Sequence, residues 1–253
     1  MNATAIFELL AAIAALAAAV FIFDQHLNRP RPHKLMWSLG LLFYGIAAAA
    51  AFAGSASHWT PVEYKAWYFF GGILTAAYLG LGSFYLLGPR RIAHILTTIA
   101  VLISVYALVR VVSTPFSQAT INQLAGFTTA QVTDVKTFHP LPGDLSALAI
   151  VMNIPGALFL FGGAAWTALK FWQKKMPGYR FASMVLLALG AIFPSVLTGL
   201  QRLGYSSGAS LGEFLGAACL LTGLLISHDV FTVFRVPFTH IVLHERARKA
   251  GVA

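Results

Sequence analysis

TAIFELLAAIAALAAAVFIF, residues 4–23, is an apolar run of 20 residues interrupted by one carboxylate, Glu8. Crossing the hydrocarbon core of a bilayer, about 30 Å thick, takes about 20 residues of α-helix. A helix is required because unpaired backbone polar groups are costly in lipid. The run therefore predicts a membrane-spanning helix, and Glu8 raises the question of what a charged group does inside it.

The composition shows that the whole chain has this preference for lipid. Hydrophobic residues make up 58% of its 253 residues, charged residues only 10%, and the mean hydropathy is +0.76. A soluble domain carries about a quarter charged residues. The single cysteine, Cys219, excludes an internal disulfide. Because no basic segment precedes residues 4–23, we expect the first run to be a retained helix and not a cleaved signal peptide.

Seven apolar runs are long enough to cross a bilayer, which predicts an all-α, polytopic membrane protein with seven transmembrane helices. The runs lie near residues 4–23, 36–54, 66–88, 93–113, 146–169, 180–199 and 212–233. The expected single domain consists of a first triplet (4–88), a linking helix (93–113), an external loop (114–144), a second triplet (146–233) and a cytoplasmic tail (236–253). The loop is either a lid or a plain linker. The tail is expected to lie on the membrane as a short amphipathic helix.

The basic residues predict the orientation of these helices. Thirteen of the 17 lysines and arginines follow spans 1, 3, 5 and 7. The positive-inside rule then places the N-terminus outside and the C-terminus in the cytoplasm, as in a multi-pass protein of the cell membrane. The formal charge of +9 is therefore read as a topology signal, and nucleic acid is not an expected partner.

An internal repeat is predicted from a comparison of the chain with itself at an offset of 145 residues. Without any gap, Gly45 matches Gly190 and Gly71 matches Gly216. Further matches join Pro32 to Pro177, Ser38 to Ser183, Leu41 to Leu186, Leu42 to Leu187, Gly54 to Gly199 and Phe69 to Phe214. A single helix between two triplets gives both the same orientation, a plan known from transporters with parallel repeats.

This plan of three, one and three helices with an external N-terminus resembles the SWEET sugar transporters, and the seven-helix layout is similar to that of microbial rhodopsins. SWEET-type repeats carry prolines in the first two helices of both halves, whereas here Pro155 and Pro194 lie in the second half only. A rhodopsin needs a retinal Schiff-base lysine in the seventh helix, and FLGAACLLTGLLISHDVF, residues 214–231, has none. LGLGSFYLLGPRR, residues 79–91, resembles stretches of uncharacterised bacterial multi-pass proteins. The likeness is one of architecture, and no family's site residues transfer.

Glu8 and Asn153 are the first candidate site residues, because they occupy matching positions in spans 1 and 5. A charged carboxylate facing lipid costs about 2–3 kcal/mol even on lenient scales. We therefore expect both side chains to point inward and line one outer pocket that takes a cationic or hydroxylated solute, with Tyr44 and Tyr78 as walls. The alternative is that Glu8 complements its helix dipole and Asn153 joins two helices by a hydrogen bond.

Two further groups of charged or titratable residues are candidates. Arg110 ends span 4 on the outer side, where it is expected either to pair with Glu8, Glu63 or Asp144 or to bind a ligand anion. At the inner face, His94, His228 and Asp229 share a depth and could hold a metal ion, although they lack a recognised ligand spacing. The alternative is that they are interfacial residues at helix ends.

Three functions remain open from the sequence. The first is a membrane protein that binds or carries a small solute or lipid between its two triplets. The second is a membrane enzyme or cofactor protein that uses the inner histidines, and the third is a structural subunit that forms a homo-oligomer or complex through glycine and alanine faces. Gly212 and Gly216 are expected to let another backbone pack closely against their helix. The absence of nucleophile-elbow, Walker and heme-attachment motifs gives no support to an enzyme.

Overall fold

The described part of the chain is built almost entirely of helices. The computed structural model describes residues 3–128, 131–132, 138, 140–175, 178–201, 208–227, 233–235 and 242–245. The helices are α1 (Ala3–Asn28), α2 (Pro32–Ala56), α3 (Pro61–Leu87), α4 (Arg90–Ser113), α5 (Gln118–Ala125), α6 (Gly143–Gln173), α7 (Gly178–Gln201) and α8 (Gly208–Ser227). The prediction of a helical protein is confirmed for these residues.

The beginning of α3 shows how the sequence sets a helix boundary. Thr60 precedes the helix with extended backbone, and Pro61 occupies its first position. The backbone N–H of Thr60 donates to Glu63 Oε2 at 3.1 Å, and the Thr60 side chain accepts from the backbone N–H of Glu63, which completes a capping box. Because the cap satisfies backbone donors that the helix leaves unpaired, α3 begins at Pro61.

In the part of the chain that the structure describes, six helices are long and apolar enough to cross a membrane: α1, α2, α3, α4, α6 and the Ala209–Ile226 part of α8. This supports a multi-pass membrane protein. The sixth predicted span falls in α7, but the apolar part of α7 that the structure describes, Phe181–Pro194, is shorter than the other six. The last predicted span extended to residue 233, whereas α8 is described only to Ser227 and a strand begins at Val233.

Six of the helices pack in a ring. In cyclic order they are α1, α2, α3, α6, α7 and α8, and the packing of α8 on α1 closes the ring. Helix α4 lies outside, against α3 and α6, and exposes apolar side chains such as Leu102 and Val109. Such side chains suit lipid contact. The ring places residues of both predicted triplets around a common centre.

The segment between α4 and α6 packs against the end of the bundle at which α3 begins. Leu124, Phe138 and Leu141 are buried. The rings of Phe116 and Phe138 contact the ring of Tyr64, with centroids 5.9 and 5.3 Å apart. Leu124, Phe138 and Leu141 of this segment therefore belong to the hydrophobic core at that end of the bundle, and Phe116 packs against it.

The tail differs from the predicted amphipathic helix. Val233–Arg235 (β1) and Val242–Glu245 (β2) form a two-stranded antiparallel hairpin. Pro237 lies between the strands in sequence, and proline disfavours a continuous helix because it lacks an N–H and clashes with the preceding turn. The prediction of a helical tail is therefore wrong for these residues, whereas the rest of the described chain is helical, as the predicted all-α class requires.

Candidate functional site

A cavity of about 320 Å³ lies at the centre of the ring. Its wall comes from α2, α3, α6, α7 and α8, so both predicted triplets contribute. Most of the wall is alanine, glycine and leucine. The polar side chains that line it are Tyr44, Trp67, Thr75, Asn153 and Glu213. A largely apolar pocket with a few convergent polar groups, at the lower end of the 300–1,000 Å³ range, is the usual form of a small-molecule site.

One side of the cavity is a π-helical stretch of α3, Trp67–Thr75. Such stretches change the i to i+4 hydrogen-bonding pattern and are frequent at functional sites. Here Asn153 Nδ2 donates to the carbonyl oxygen of Gly72, and Thr75 Oγ1 donates to that of Phe70 at 2.9 Å. The irregular turn therefore offers carbonyl oxygens that hold two polar side chains at the cavity wall.

The opposite side brings Tyr44 of α2 against Glu213 of α8. The Tyr44 hydroxyl donates to the backbone carbonyl oxygen of Glu213 at 2.6 Å. Glu213 is half-buried and lines the cavity. Within the part of the chain that the structure describes, its carboxylate forms no hydrogen bond or ion pair. A carboxylate in an apolar cavity calls for a cationic or hydrogen-bonding partner.

Asn153 contributes a second unpaired acceptor. Its amide nitrogen is held by Gly72, but its Oδ1 is buried and has no hydrogen-bond partner among residues 3–128 and the other described segments. Buried polar atoms without a partner are rare in folded proteins, and each calls for an explanation such as a ligand or an ordered water. Asn153 thus lies where the sequence predicted it, inside the bundle and at a cavity.

Glu8 also points inward but does not line the cavity. It is 0% exposed. Ser55 of α2 donates a hydrogen bond to its Oε2, and Ser210 of α8 donates to its Oε1 at 3.3 Å. The expectation that Glu8 and Asn153 line one cavity is therefore wrong for Glu8, because its carboxyl is held between α2 and α8. Glu213 is the carboxylate that lines the cavity.

Tyr78 and Arg110, the other candidates for ligand binding, lie elsewhere. Tyr78 pairs with Ser104 of α4 at 3.2 Å between hydroxyl oxygens. Arg110 Nε donates to Asp144 Oδ2 at 3.0 Å, and the Tyr106 hydroxyl donates to the same oxygen at 2.8 Å. Neither Tyr78 nor Arg110 lines the central cavity. Arg110 thus forms one of the ion pairs that the sequence suggested.

Of the three residues predicted to form an inner-face metal site, the structure describes His94. The His94 Nδ1 atom lies 3.0 Å from the hydroxyl oxygen of Tyr85. His228 and Asp229 lie outside the described residues. Among those that are described, no three His, Cys, Asp or Glu side chains are grouped so that they could hold a metal ion.

A second, smaller space of about 40 Å³ lies on the far side of three leucines. Leu79, Leu160 and Leu220 line both this space and the central cavity. The smaller space reaches Trp37 near the start of α2 and Leu87 at the end of α3. The leucines therefore separate the central cavity from the end of the bundle that the basic residues predict to be cytoplasmic.

Two features of the site were not found from the sequence. The π-helical stretch has no local signature, because the apolar pattern of residues 66–88 is equally compatible with a regular helix. Glu213 was not among the candidate residues. A signal for it existed, since it is a carboxylate inside an apolar run, and such groups are candidate functional residues by default.

Comparison with known proteins assigns this chain to no family. No family model matches the chain, and neither the curated proteins nor the solved structures contain a significant match to it.

Proposed function

We propose that this is a multi-pass membrane protein that binds and carries a small solute in the central cavity, between its two helix triplets. The observation that supports this most directly is the cavity of about 320 Å³, whose wall comes from helices of both triplets and includes Glu213 and Asn153. Its size and its mainly apolar wall fit a small organic molecule better than a bare ion.

The ring of helices supports the proposed 3+1+3 repeat. At the offset of 145 residues, α1, α2 and α3 correspond to α6, α7 and α8. The neighbours in the ring then correspond as well: α1 on α2 to α6 on α7, α2 on α3 to α7 on α8, and α3 on α6 to α8 on α1. A pseudo-twofold axis along the membrane normal relates such neighbours, and in transporters of this plan the substrate lies at the interface between repeats.

The side chains toward the two ends of the cavity support carrying as well as binding. Leu79, Leu160 and Leu220 separate the cavity from the smaller space beyond them. At the other end, Trp67 lines the cavity and contacts Tyr64, with centroids 6.0 Å apart, and the segment between α4 and α6 covers Tyr64. A site between two helix triplets, with leucines toward one end and aromatic side chains toward the other, suits alternating access.

The proposed orientation has the N-terminus outside, seven crossings and the C-terminus in the cytoplasm. Ser57 and Arg31 are exposed at opposite ends of α2. In a Cys219→Ala background, Ser57→Cys is expected to react with a membrane-impermeant maleimide on intact cells, and Arg31→Cys only after permeabilisation, because the basic segments face the cytoplasm. Labelling of Arg31→Cys on intact cells contradicts the orientation.

Filling the cavity tests the binding function without knowledge of the solute. Gly72 lines the cavity, and a Cβ atom added there fits without a clash, since its nearest neighbour is an atom of Tyr68 at 3.7 Å. We expect Gly72→Leu to weaken solute binding about tenfold or more, because the leucine takes space that the solute needs. The measurement is native mass spectrometry of the purified protein before and after incubation with a small-molecule extract of the host cells.

Gly162→Leu is the matched control for this test. Gly162 is exposed on α6 and has nothing within 4 Å of an added Cβ. The control is expected to keep a bound mass in the same proportion as the unmodified protein. Retention of the bound mass in Gly72→Leu, or a protein that takes up no small molecule from the extract, contradicts a solute-binding cavity.

A further inference from the structure

The donors and acceptors around the central cavity are unequally divided. Tyr44 and Thr75 each direct their one hydroxyl hydrogen to a backbone carbonyl oxygen, that of Glu213 and that of Phe70. Asn153 directs one amide hydrogen to Gly72. These three side chains therefore have most of their donors engaged by the protein, and their oxygen atoms remain available as acceptors.

The remaining polar groups increase this imbalance. The Asn153 Oδ1 atom is an unpaired acceptor, and an ionised Glu213 carboxylate has acceptor positions only. The donors left over are the indole N–H of Trp67 and the second amide hydrogen of Asn153. A ligand that satisfies such a wall must itself bring several hydrogen-bond donors, and it gains most if it brings positive charge to Glu213.

The apolar part of the wall excludes the simplest cations. Alanine, glycine and leucine side chains supply no ligand atoms, and a bare metal ion would require about six oxygen atoms in close coordination. The cavity of about 320 Å³ is instead large enough for an organic body beside the charged group. The rings of Tyr44 and Trp67 line it as well, and aromatic faces attract organic cations.

We propose that the solute is a protonated primary or secondary amine, with Glu213 as its counter-ion and Asn153 Oδ1 as a second acceptor of its N–H groups. The proposal rests on the proposed function, since it assigns the chemical class of the solute to the same cavity. It replaces Glu8 by Glu213 as the residue that selects a cation. The ammonium group lies at Glu213, and the apolar part of the molecule fills the space toward Ala157 and Leu160.

Four probes of similar size separate the effects of charge and of hydrogen-bond donors. They are 2-phenylethylammonium, its trimethylated quaternary analogue, 2-phenylethanol and phenylacetate, titrated by calorimetry into the full-length protein in nanodiscs. The primary ammonium is expected to bind about tenfold more tightly than the alcohol and the quaternary ion, because hydrogen bonds between charged groups are stronger than neutral ones. Phenylacetate is expected not to bind.

Variants assign the effect to Glu213. Glu213→Gln is expected to lower the affinity for 2-phenylethylammonium about tenfold and to leave that for 2-phenylethanol unchanged, since only the charge is removed. Asp24→Asn, at the end of α1 where Asp24 meets Asn28, is the matched carboxylate control and is expected to change neither affinity. The comparison of the four probes on the unmodified protein remains decisive if Glu213→Gln does not fold.

The possible results separate the two proposals. If 2-phenylethanol, phenylacetate or the quaternary ion binds as tightly as the primary ammonium and Gly72→Leu abolishes that binding, the amine inference is overturned and the cavity remains a solute site. An ammonium affinity that Glu213→Gln leaves intact also overturns the inference. If no probe shows binding that responds to Gly72→Leu, the amine inference fails, and the extract experiment decides whether the cavity binds any solute.

Discussion

Gly156→Val is expected to lower the stability of the protein by about 2–3 kcal/mol or more, because α3 and α6 cross in direct backbone contact at this residue. A Cβ atom added to Gly156 would lie 2.3 Å from the carbonyl oxygen of Ala76, and one added to Gly80 would lie 2.3 Å from the carbonyl oxygen of Gly156. Backbone atoms cannot move aside as flexible side chains do. The two helices would have to separate along the interface that joins the triplets.

The measurement is the midpoint of thermal unfolding in a mild detergent, with the fraction of monodisperse protein as a second readout. A loss of this size corresponds to a lowering of the midpoint by about 5 °C or more. Gly162→Val on the same helix is the control, since an added Cβ there meets nothing within 4 Å. Equal midpoints for Gly156→Val and Gly162→Val would show that the two helices do not approach this closely.

The positions of most helices could be predicted from the sequence, because the thickness of the bilayer fixes the length of a spanning helix at about 20 residues, and apolar runs of that length are visible in the sequence. Residues 4–23 lie within α1, and residues 93–113 lie within α4. Helix ends were less accurate. The run near 66–88 begins five residues earlier, at Pro61, because the Thr60 cap and the proline extend the helix into a polar segment that hydropathy does not count.

The close contact between α3 and α6 could not be predicted in the same way. Gly80 and Gly156 are far apart in the sequence, and each is one of 22 glycines. Small residues in a membrane helix predict that some backbone approaches, but not which one. For Gly216 the expectation of close packing was correct, since an added Cβ would lie 3.0 Å from the carbonyl oxygen of Gly190.

The sequence predicted only part of the candidate site, and the geometry of helices explains why the rest was missed. Tyr44 and Asn153 line the cavity, as expected, because polar groups in an apolar span are driven inward. Burial alone does not decide which inward direction a side chain takes. Successive residues of a helix point about 100° apart, so a carboxylate on α1 can meet Ser55 and Ser210 between helices, whereas Glu213 on α8 reaches the cavity.

Glu8 is therefore expected to act mainly on the stability of the bundle. Glu8→Ala removes the acceptor of the Ser55 hydroxyl, which is half-buried, and of the Ser210 hydroxyl, which is buried, and it leaves a void in a fully buried site. Buried polar groups that lose their partner cost about 1–3 kcal/mol each, and the void adds to this. We expect the unfolding midpoint to fall by about 5 °C or more. The loss of Glu8 costs less at Ser55 than at Ser210, because the Ser55 hydroxyl can still donate to the carbonyl oxygen of Phe52 at 3.2 Å.

Glu8→Gln separates this structural effect from a role in binding. Glutamine keeps an acceptor oxygen and offers N–H donors, and a serine hydroxyl can reverse its role to accept from them, so the midpoint is expected to stay near that of the unmodified protein. Ile13→Ala, at an exposed position of α1, is the control for the truncation in Glu8→Ala and is expected to leave the midpoint nearly unchanged. Because Glu8 lies behind the wall of the cavity, Glu8→Gln is expected to change the affinity for 2-phenylethylammonium less than Glu213→Gln does. An equal loss of affinity in both variants would show that the Glu8 charge, too, acts on the ligand.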